Sequence, residues 1–430
     1  MQDWSLEVKK VSKLEQLINE LCPEGVEYKA LGELGEFYSG LSGKSKDDFS
    51  NGNAKFITYM NVFSNLSLKI DVDDKVKIGE NENQNTIQYG DVLFTGSSET
   101  PEECGMSSVL TSITNEKLYL NSFCFGFRFY DKNLMMPEFS KYVFHASEIR
   151  KQIKRTASGV TRFNVSKKKM EKVTIPIPPL PVQEEIVRIL DKFTELTAEL
   201  TAELTARKQQ YEYYRHSLLN KYIDKKALKK IALSSRSGGT PLKSKNEYYD
   251  NGIIPWLRTQ EVVFNEINKT DCFITELAVK ETSAKWIPSN CVIVAISGAS
   301  AGRCAINKIP LTTNQHCLAI EINPEVALYK YVFYCVCNQY YDLIAKKEGA
   351  RGDLNSSRIL GLEIPIPYPE DKEKSLAEQQ RIVDILDRFD KLCNDISEGL
   401  PAEIEARQKQ YEYYRDKLLT FKKKEVSGNE

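Results

Sequence analysis

The sequence predicts a mixed α and β protein of the α+β class. In the predicted architecture, two similar globular halves are separated by two long helices that form an antiparallel, coiled-coil-like pair. Three observations lead to this prediction: a long internal repeat, short β-branched apolar runs inside each half, and an apolar stripe at helical spacing after each half. The length of 430 residues is also sufficient for two to three domains with separate cores.

The charge balance excludes a uniformly basic nucleic-acid binder, because 59 Lys+Arg oppose 60 Asp+Glu, but it leaves room for local patches. No apolar stretch reaches the roughly 18 residues of a membrane span, and residues 1–21 lack the apolar core of a signal peptide. Ten cysteines without a recurring pair spacing predict reduced thiols. We therefore expect a soluble, cytoplasmic protein that does not contact a membrane.

The internal repeat fixes the order of the domains. Its strongest matches are the segments 175–178 and 364–367 (Ile-Pro-Ile-Pro), 183–193 and 379–389 (sharing Ile-Val-x-Ile-Leu-Asp-x-Phe), and 207–215 and 407–415 (sharing Gln-Tyr-Glu-Tyr-Tyr-Arg). Weaker matches join 56–62 with 256–262, 92–94 with 292–294, 121–124 with 314–317, and 141–144 with 330–333. The predicted domains are an N-terminal helical segment (1–25), a first globular half (26–178), a first spacer helix (179–222), a second half (223–367), a second spacer helix (368–421) and a tail (422–430).

Within each half, the apolar runs 91–95 and 291–296 predict strands, since Gly, Ser and Asn clusters bound them. The proline-rich segments 175–181 and 364–369 predict stiff exits that continue neither a helix nor a central strand. After these exits, apolar residues recur at spacings of three and four over 182–219, which predicts a long helix with a narrow seam. A second helix is predicted near 376–419, with an interruption at Gly399 and Pro401.

A tetrapeptide repeat, Thr-Ala-Glu-Leu, lies inside the first helix at 197–200 and 201–204. Thirteen residues separate Phe193 from Arg207, whereas 17 separate Phe389 from Arg407, a difference of one repeat unit. Each unit adds about 6 Å to a helix and rotates the seam by only about 40°. The repeat therefore suits a helix whose length acts as a ruler, although a slippage-prone repeat without a role is the alternative.

Recognisable catalytic motifs are not found in the sequence, and we predict neither catalytic residues nor a metal site. The three histidines lie in unrelated contexts, and the cysteines form no Cys-x-x-Cys pair. Gly43-Lys44-Ser45 ends like a phosphate-binding loop, but Tyr38 occupies the position where that loop needs glycine. The equivalent step at 242–244 supports a simpler interpretation, in which each half offers a lysine (Lys44 or Lys243) to a backbone phosphate.

Two basic segments strengthen the case for a nucleic acid. Residues 150–172 contain nine Lys/Arg against one acid, and residues 221–245 contain eight against one. Such segments suit phosphate contacts, with Lys167 and Lys245 as further candidates, although a solvated surface is the alternative for either one.

Sequence-specific binding needs side chains that reach base edges. Arg258 and Gln260 are predicted on a strand, two residues apart and facing the same way, and these residue types pair with guanine and adenine. The equivalent first-half residues are Thr58 and Met60, so one scaffold carries two chemistries. The other candidates at loop positions, each of which could also be an ordinary surface residue, are Ser97, Ser98, Arg162, Asn164, Ser297, Arg303, Asn314, Gln315 with His316, Arg351 and Asn355.

On these motifs, the chain resembles the specificity (S) subunits of type I restriction-modification enzymes over essentially its whole length. The resemblance implies that the two halves are target-recognition domains, each reading one half of a split site in double-stranded DNA. It also implies that methyltransferase (M) subunits bind the helices and that restriction (R) subunits join through the complex. The chain itself would then be no enzyme and would need no cofactor, because S-adenosylmethionine, ATP and Mg²⁺ would serve the partner subunits in adenine methylation and restriction.

Two other functions stay open at this point. The chain could be a self-contained DNA methyltransferase or nuclease with two recognition lobes, or an interaction scaffold whose helices pair and whose halves bind protein. The DNA target and the individual base contacts are beyond what the sequence determines.

Overall fold

The computed structural model describes residues 4–345, 354–395 and 398–425, with side chains from residue 13 onward. The chain divides into two compact units. Unit 1 contains the residues up to 199 and those from 404 onward, and unit 2 contains residues 200–403. Among the described residues, no helix is both long and apolar enough to cross a membrane.

Unit 1 is built from short strands and helices around two main sheets. Its strands are β1 (Glu27–Ala30), β2 (Gly35–Ser39), β3 (Ala54–Ile57), β4 (Lys75–Val76), β5 (Thr86–Ile87), β6 (Val92–Thr95), β7 (Ser97–Ser98), β8 (Ser107–Val109), β9 (Leu118–Leu120), β10 (Cys124–Phe129), β11 (Ala157–Ser158), β12 (Phe163–Val165) and β13 (Thr174–Ile177). Its helices are α1 (Trp4–Leu21), α2 (Leu31–Leu34), α3 (Tyr59–Ser64), α4 (Pro137–Val143), α5 (Ser147–Lys154) and α6 (Lys167–Met170). The long helix α7 (Leu180–Leu219) follows.

Unit 2 repeats this plan. Its strands are β14 (Lys225–Ala227), β15 (Ala232–Ser237), β16 (Ile254–Leu257), β17 (Glu266–Ile267), β18 (Phe273–Ile274), β19 (Val292–Ala295), β20 (Cys304–Asn307), β21 (Thr312–Thr313), β22 (Cys317–Ile322) and β23 (Glu363–Pro365). Its short helices are α8 (Leu228–Ile231), α9 (Glu276–Glu281), α10 (Tyr329–Asn338), α11 (Tyr340–Ala345) and α12 (Ser356–Leu360). The helices α13 (Lys372–Asn394) and α14 (Leu400–Leu418) complete the order.

The main sheets of the two units have matching strand orders, as the sequence repeat predicts. In unit 1 the order is β2-β10-β6-β8, and in unit 2 the matching order is β15-β22-β19-β20, with β17 added at the edge. In a second sheet of each unit, β3 lies parallel to β9, and β16 lies parallel to β21. The predicted strands of the apolar runs are confirmed as β6 and β19, and all their side chains are buried.

The mixed α and β class and the two long helical segments are confirmed. The first helix runs unbroken over Leu180–Leu219, and the second is interrupted between Asn394 and Leu400, where the sequence places Gly399. A Cβ on Gly399 would lie 2.6 Å from the carbonyl oxygens of Lys391 and Asp395, so only glycine fits this interruption.

Aromatic rings hold the long helices together inside each unit. In unit 1, Phe193 of α7 stacks on Tyr414 of α14 with ring centroids 5.3 Å apart. In unit 2, Phe389 of α13 stacks on Tyr214 of α7 at 5.5 Å and on Tyr211 at 6.2 Å. In both units, a phenylalanine from one copy of the repeat thus stacks on a tyrosine from the other copy.

A fully buried glutamine joins each long helix to its globular half. Gln183 donates from Nε2 to the carbonyl oxygens of Leu134 at 3.0 Å and Pro178 at 2.8 Å, and its Oε1 accepts from the Met136 N–H at 2.9 Å. A buried amide that satisfies three main-chain groups fixes the helix in one position, since any shift would leave polar groups unpaired.

The second copy of the motif repeats this joint. Gln379 accepts from the Leu328 N–H at 2.9 Å and donates to the Val326 carbonyl at 3.3 Å. In each unit, an aspartate eight residues after the glutamine makes a second contact between the long helix and the globular half. Asp191 accepts from the hydroxyl of Tyr142 at 2.6 Å, and Asp387 accepts from the hydroxyl of Tyr334 at 2.6 Å.

Replacing Gln183 with Ala should lower the free energy of unfolding of unit 1 by about 2–4 kcal/mol, because three main-chain groups that contact this buried side chain lose their partner. The neighbouring exposed residue gives a matched control: Glu184→Ala should change it by less than about 0.5 kcal/mol. Urea unfolding followed by circular dichroism measures both, and hydrogen exchange locates the loss. Equal losses in the two variants would contradict the role of the glutamine as a joint.

His145 should make unit 1 sensitive to acid. Burial lowers the pKa of its imidazole from 6.5 to about 4, while Nε2 lies 2.8 Å from the Ser107 carbonyl oxygen. The unfolded chain therefore takes up this proton first as the pH falls. The contribution of neutral His145 to the free energy of unfolding is fully present above pH 6.5. It is lost as the pH falls from there to about 4, by at most about 1.4 kcal/mol per pH unit.

The His145→Gln variant keeps a neutral donor for the Ser107 carbonyl but has no proton to gain. The free energy of unfolding, measured at pH 7.5 and pH 5, should therefore fall less in the variant than in the original chain. Identical pH dependence in the two chains would show that this histidine does not titrate on unfolding.

Candidate functional site

The candidate site in unit 1 is built around a turn at the ends of two parallel strands. Because β3 and β9 are parallel, the residues after them, Thr58 and Asn121, emerge side by side. The Asn121 N–H donates to the Ile57 carbonyl at 3.0 Å, and its Oδ1 accepts from the Phe123 N–H at 2.9 Å. The Phe123 carbonyl in turn accepts from the Gly96 N–H at 2.7 Å.

Unit 2 repeats this arrangement bond for bond. The Asn314 N–H donates to the Leu257 carbonyl at 3.1 Å, and Asn314 Oδ1 accepts from the His316 N–H at 3.0 Å. The Ile296 N–H then donates to the His316 carbonyl at 2.9 Å. We call residues 121–124 of unit 1 and 314–317 of unit 2 the Asn turns.

A further pair of bonds ties a later segment to each Asn turn. The Val165 N–H donates to the Gly96 carbonyl at 2.9 Å, and the Leu354 N–H donates to the Ile296 carbonyl at 2.8 Å. The main chain around the Asn turn is thus the same in both units, while the side chains differ. This equivalence also aligns the later segments: Ser166 caps α6 and Asn355 caps α12, so Asn355 corresponds to Ser166 and not to Asn164.

In unit 1 this framework gathers most of the candidates that the sequence suggested. Asn164 pairs with Ser97 across β12 and β7, and the hydroxyl of Ser97 accepts from Arg162 at 3.1 Å. The Arg162 guanidinium also lies over the ring of Phe123, 5.4 Å from its centroid. The main-chain carbonyl of Ser97 accepts from the hydroxyl of Tyr59 at 2.8 Å.

Tyr59 links this group to the neighbouring candidates on α3. Thr58 accepts from the Asn61 N–H as the cap of that helix, and Met60 is exposed. Lys167 also lies nearby, since its Nζ donates to Ser39 Oγ at 2.6 Å and Ser39 pairs with Phe125. Five candidates of unit 1 therefore share one surface with the Asn turn: Thr58, Met60, Ser97, Arg162 and Asn164, with Lys167 at its border.

Two further unit 1 candidates are bound to glutamates of the same unit. Ser98 is buried and donates to Glu103 at 3.1 Å. Lys44 contacts Glu82 at 2.5 Å and the Lys77 carbonyl at 2.6 Å, and its side chain is only 8% exposed. The Gly79 N–H and then the Lys44 ammonium, which both bond to the Glu82 carboxylate, lower the pKa of Glu82 to about 2. Lys44 and Glu82 thus form an internal salt bridge.

In unit 2 the predicted strand for Arg258 and Gln260 is wrong. The strand β16 ends at Leu257, and a 3₁₀ helix, Thr259–Glu261, begins directly after Arg258. The glutamate of that helix accepts from the Arg258 N–H at 3.0 Å, which turns the chain out of the sheet. The period of a pleated strand therefore does not place Arg258 and Gln260 on the same face, as the sequence predicted.

Arg258 nevertheless lies at the Asn turn, since Leu257 is bonded to Asn314. Its guanidinium has two acidic neighbours, with Nε 3.7 Å from Glu261 and an Nη 3.9 Å from Asp271. The Nε atom is buried without a hydrogen-bond partner among the described residues. Gln260 lies in the 3₁₀ helix that contacts a second one, Gly298–Ser300.

The remaining unit 2 candidates lie around the same framework. Ser297 precedes Gly298–Ser300, and Arg303 is held there through main-chain bonds to Ser300 and Ala295. The side-chain amide of Gln315 contacts the His316 ring, Nε2 to Nε2, at 3.2 Å, and its Oε1 accepts from the hydroxyl of Thr240.

The last three candidates are Lys243, Lys245 and Arg351. Lys245 contacts the hydroxyl of Tyr248 at 3.1 Å and has Glu247 and Glu281 within ion-pair distance. Lys243 lies in the exposed turn before it. Arg351 lies outside the described residues.

One member of the first basic segment belongs to the interior of unit 1. Arg150 donates to the main-chain carbonyls of Gly105, Cys104 and Glu102, the last two at 2.6 Å and 3.0 Å. Burial lowers the pKa of its guanidinium to about 10. The segment therefore presents fewer charges to solvent than its sequence indicates.

Phe123 is the contact that sequence reasoning missed. Its ring is 56% exposed and lines a cleft of about 740 Å³ together with Phe49, Phe56 and Asn121. A signal was present, because the repeat that matches 121–124 with 314–317 places an aromatic ring, Phe123 or His316, at the same position. Among the described residues, no group of three or more His, Cys, Asp or Glu side chains is placed to hold a metal ion.

Comparison with known families assigns the chain. The family described as "Type I restriction modification DNA specificity domain" matches residues 23–207 and again residues 220–406. The chain belongs to this family. Its two matches correspond to the two copies of the internal repeat, so each Asn turn lies in one specificity domain.

Two relatives named as specificity subunits agree with this assignment. The chain is 42% identical over 279 residues to the type I restriction enzyme EcoR124I/EcoR124II specificity subunit of Escherichia coli. The alignment covers 62% of this chain and 67% of that protein. It is 36% identical over 282 residues to a type I restriction enzyme specificity subunit of Haemophilus influenzae, covering 61% of this chain and 68% of the relative.

A solved structure shows the same fold. A chain from work described as "Structural basis underlying complex assembly and conformational transition of the type I R-M system" aligns with a TM-score of 0.62 and 15% identity. The alignment covers 92% of this chain and 97% of that chain. This member of the type I specificity family therefore has the fold of two similar domains that the sequence predicts.

Proposed function

We propose that this chain is the non-catalytic DNA-reading subunit of a type I restriction-modification complex, with one half-site of a bipartite target read by each specificity domain. The observation that supports the proposal is the Asn turn, which is built with the same main-chain bonds in both units but carries different polar side chains. Equal scaffolds with unequal polar side chains suit two half-sites of unlike sequence.

The partners follow from the family and are part of the proposal. Methyltransferase subunits would bind the long helices, and restriction subunits would join through the complex in the cytoplasm. S-adenosylmethionine, ATP and Mg²⁺ would be used by those subunits for adenine methylation and restriction. The relatives named as specificity subunits support this division of labour.

The direct test is a methylation assay on a random-sequence duplex library. With methyltransferase subunits present, this chain should direct methylation to one bipartite sequence, and the chain alone should neither methylate nor cleave. Activity of the chain alone would favour a self-contained enzyme. Failure to select any duplex with the subunits present would favour a protein scaffold.

Replacing Arg258 with Ala should relax the preference at one base pair in one half-site only, by about tenfold, if the guanidinium reads a base edge. The same library assay measures it, with Lys243→Ala as a matched loss of one positive charge in the same unit. If the variant instead weakened methylation equally on all sequences, Arg258 would be assigned to a phosphate contact.

Deleting residues 201–204 should shorten α7 by about 6 Å and narrow the gap between the half-sites by one or two base pairs, at about 3.4 Å per pair. The deleted residues lie within the unbroken part of the helix. Thr201→Ala changes the same tetrapeptide without altering the length and should leave the gap unchanged. Methylome sequencing gives the gap directly, and an unchanged gap in the deletion variant would contradict the ruler.

A further inference from the structure

The two Asn turns each present an aromatic ring at the same position, Phe123 in unit 1 and His316 in unit 2. Both follow an asparagine whose side chain accepts from the ring residue's own N–H, at 2.9 Å and 3.0 Å. Both ring residues also receive a main-chain bond at their carbonyl, from Gly96 and Ile296. Each ring therefore starts from a fixed main chain, and both residues are exposed.

Each ring touches a planar polar group that can make two parallel hydrogen bonds. In unit 1 the partner is the guanidinium of Arg162, 5.4 Å above the centre of the Phe123 ring and hydrogen-bonded to Ser97 Oγ at 3.1 Å. A cation over a ring face and a hydroxyl at one nitrogen together restrict both the position and the plane of the guanidinium. Arg162 still has unused N–H donors toward solvent, because guanidinium carries five.

In unit 2 the partner is the amide of Gln315. Its Nε2 lies 3.2 Å from His316 Nε2, and its Oε1 accepts from the hydroxyl of Thr240. Both amide atoms are thereby held, and each retains capacity for one more bond, since the nitrogen has a second hydrogen and the oxygen a second lone pair. The side chain is exposed, so these remaining sites face solvent.

We propose that the ring of each Asn turn is a positioning residue that presents this planar group to a base edge in the major groove. On this assignment Arg162, held by Phe123, reads a guanine in one half-site, and Gln315, held by His316, reads an adenine in the other. The chemistry follows from the bidentate pairing of guanidinium with guanine O6 and N7 and of a carboxamide with adenine N6 and N7. This inference rests on the proposed function and specifies which groups carry it.

The test is the base-resolved methylation profile of the full chain with its methyltransferase subunits on a random-sequence library. Arg162→Ala should reduce discrimination at one guanine of one half-site by about tenfold or more. Phe123→Leu, which keeps apolar volume but loses the ring face, should reduce discrimination at that same position by about threefold. Phe123→Tyr keeps the ring and should restore it.

Tyr130 provides the matched control for the loss of a ring. Phe123 and Tyr130 flank opposite ends of β10, and their exposures are similar, 56% and 67%. Tyr130→Leu should therefore leave every base preference unchanged. A loss of discrimination in Tyr130→Leu equal to that in Phe123→Leu would overturn the positioning role, because it would reflect general loosening of the strand.

In unit 2, Gln315→Ala should relax the preference for one adenine of the other half-site, and His316→Leu should relax the preference at the same position. If Arg162→Ala or Gln315→Ala weakened methylation equally on all sequences, the base assignments would be overturned. Relaxation by Arg162→Ala without any effect of Phe123→Leu would overturn the positioning role. All of these outcomes require that the unaltered chain selects a sequence, so loss of selection by that chain would refute the proposed function separately.

Discussion

The structure depends on one kind of buried interaction, made by a glutamine in the first half of each of the helices α7 and α13. Gln183 and Gln379 are fully buried, and each satisfies main-chain groups of the globular half that precedes it. An unpaired polar group in such a position costs more free energy than a typical hydrogen bond gains. The joint therefore has one stable geometry. A globular half and a helix that are joined in this way move together.

The aromatic seams and the carboxylates Asp191 and Asp387 extend the joint along the helices. Each carboxylate accepts from a tyrosine hydroxyl and from a lysine of the adjacent globular half, Lys141 or Lys330, at 2.8 Å and 2.9 Å. The two tyrosines are not equivalent in the repeat. Tyr142 aligns with Tyr331, whereas Tyr334 lies about one helical turn further along the chain. The two units thus reach the same contact with different residues, because the contact constrains the position of the hydroxyl and not the residue that supplies it.

The Asn turn applies the same principle to recognition. Its hydrogen bonds use the main chain and one asparagine side chain, so they place no demand on the neighbouring side chains. Those neighbours are free to vary between the units, as Thr58 and Arg258 do. A framework that is held by its main chain can change its DNA target without losing its fold, which is the property that a specificity domain needs.

Much of the fold could be predicted from the sequence, because the repeat, the strand runs and the helical seam are local or periodic signals. The break near Gly399 and the strands β6 and β19 followed from such signals. The candidate site was predicted less well. Arg258 and Gln260 were predicted on one strand, but that strand ends at Leu257, where the bond from the Arg258 N–H to Glu261 turns the chain into a 3₁₀ helix.

The sequence by itself determined the family, the two-domain order and the long helices, because these depend on patterns that neighbouring residues carry. Only the tertiary structure decided which polar side chains are available. Lys44 and Arg150 look like surface cations in the sequence but are bound to Glu82 and to main-chain carbonyls. Arg162 and Phe123, 39 positions apart, become neighbours only through the sheet. Contacts between residues so distant in the chain leave no local signal, because the partner is chosen by the fold.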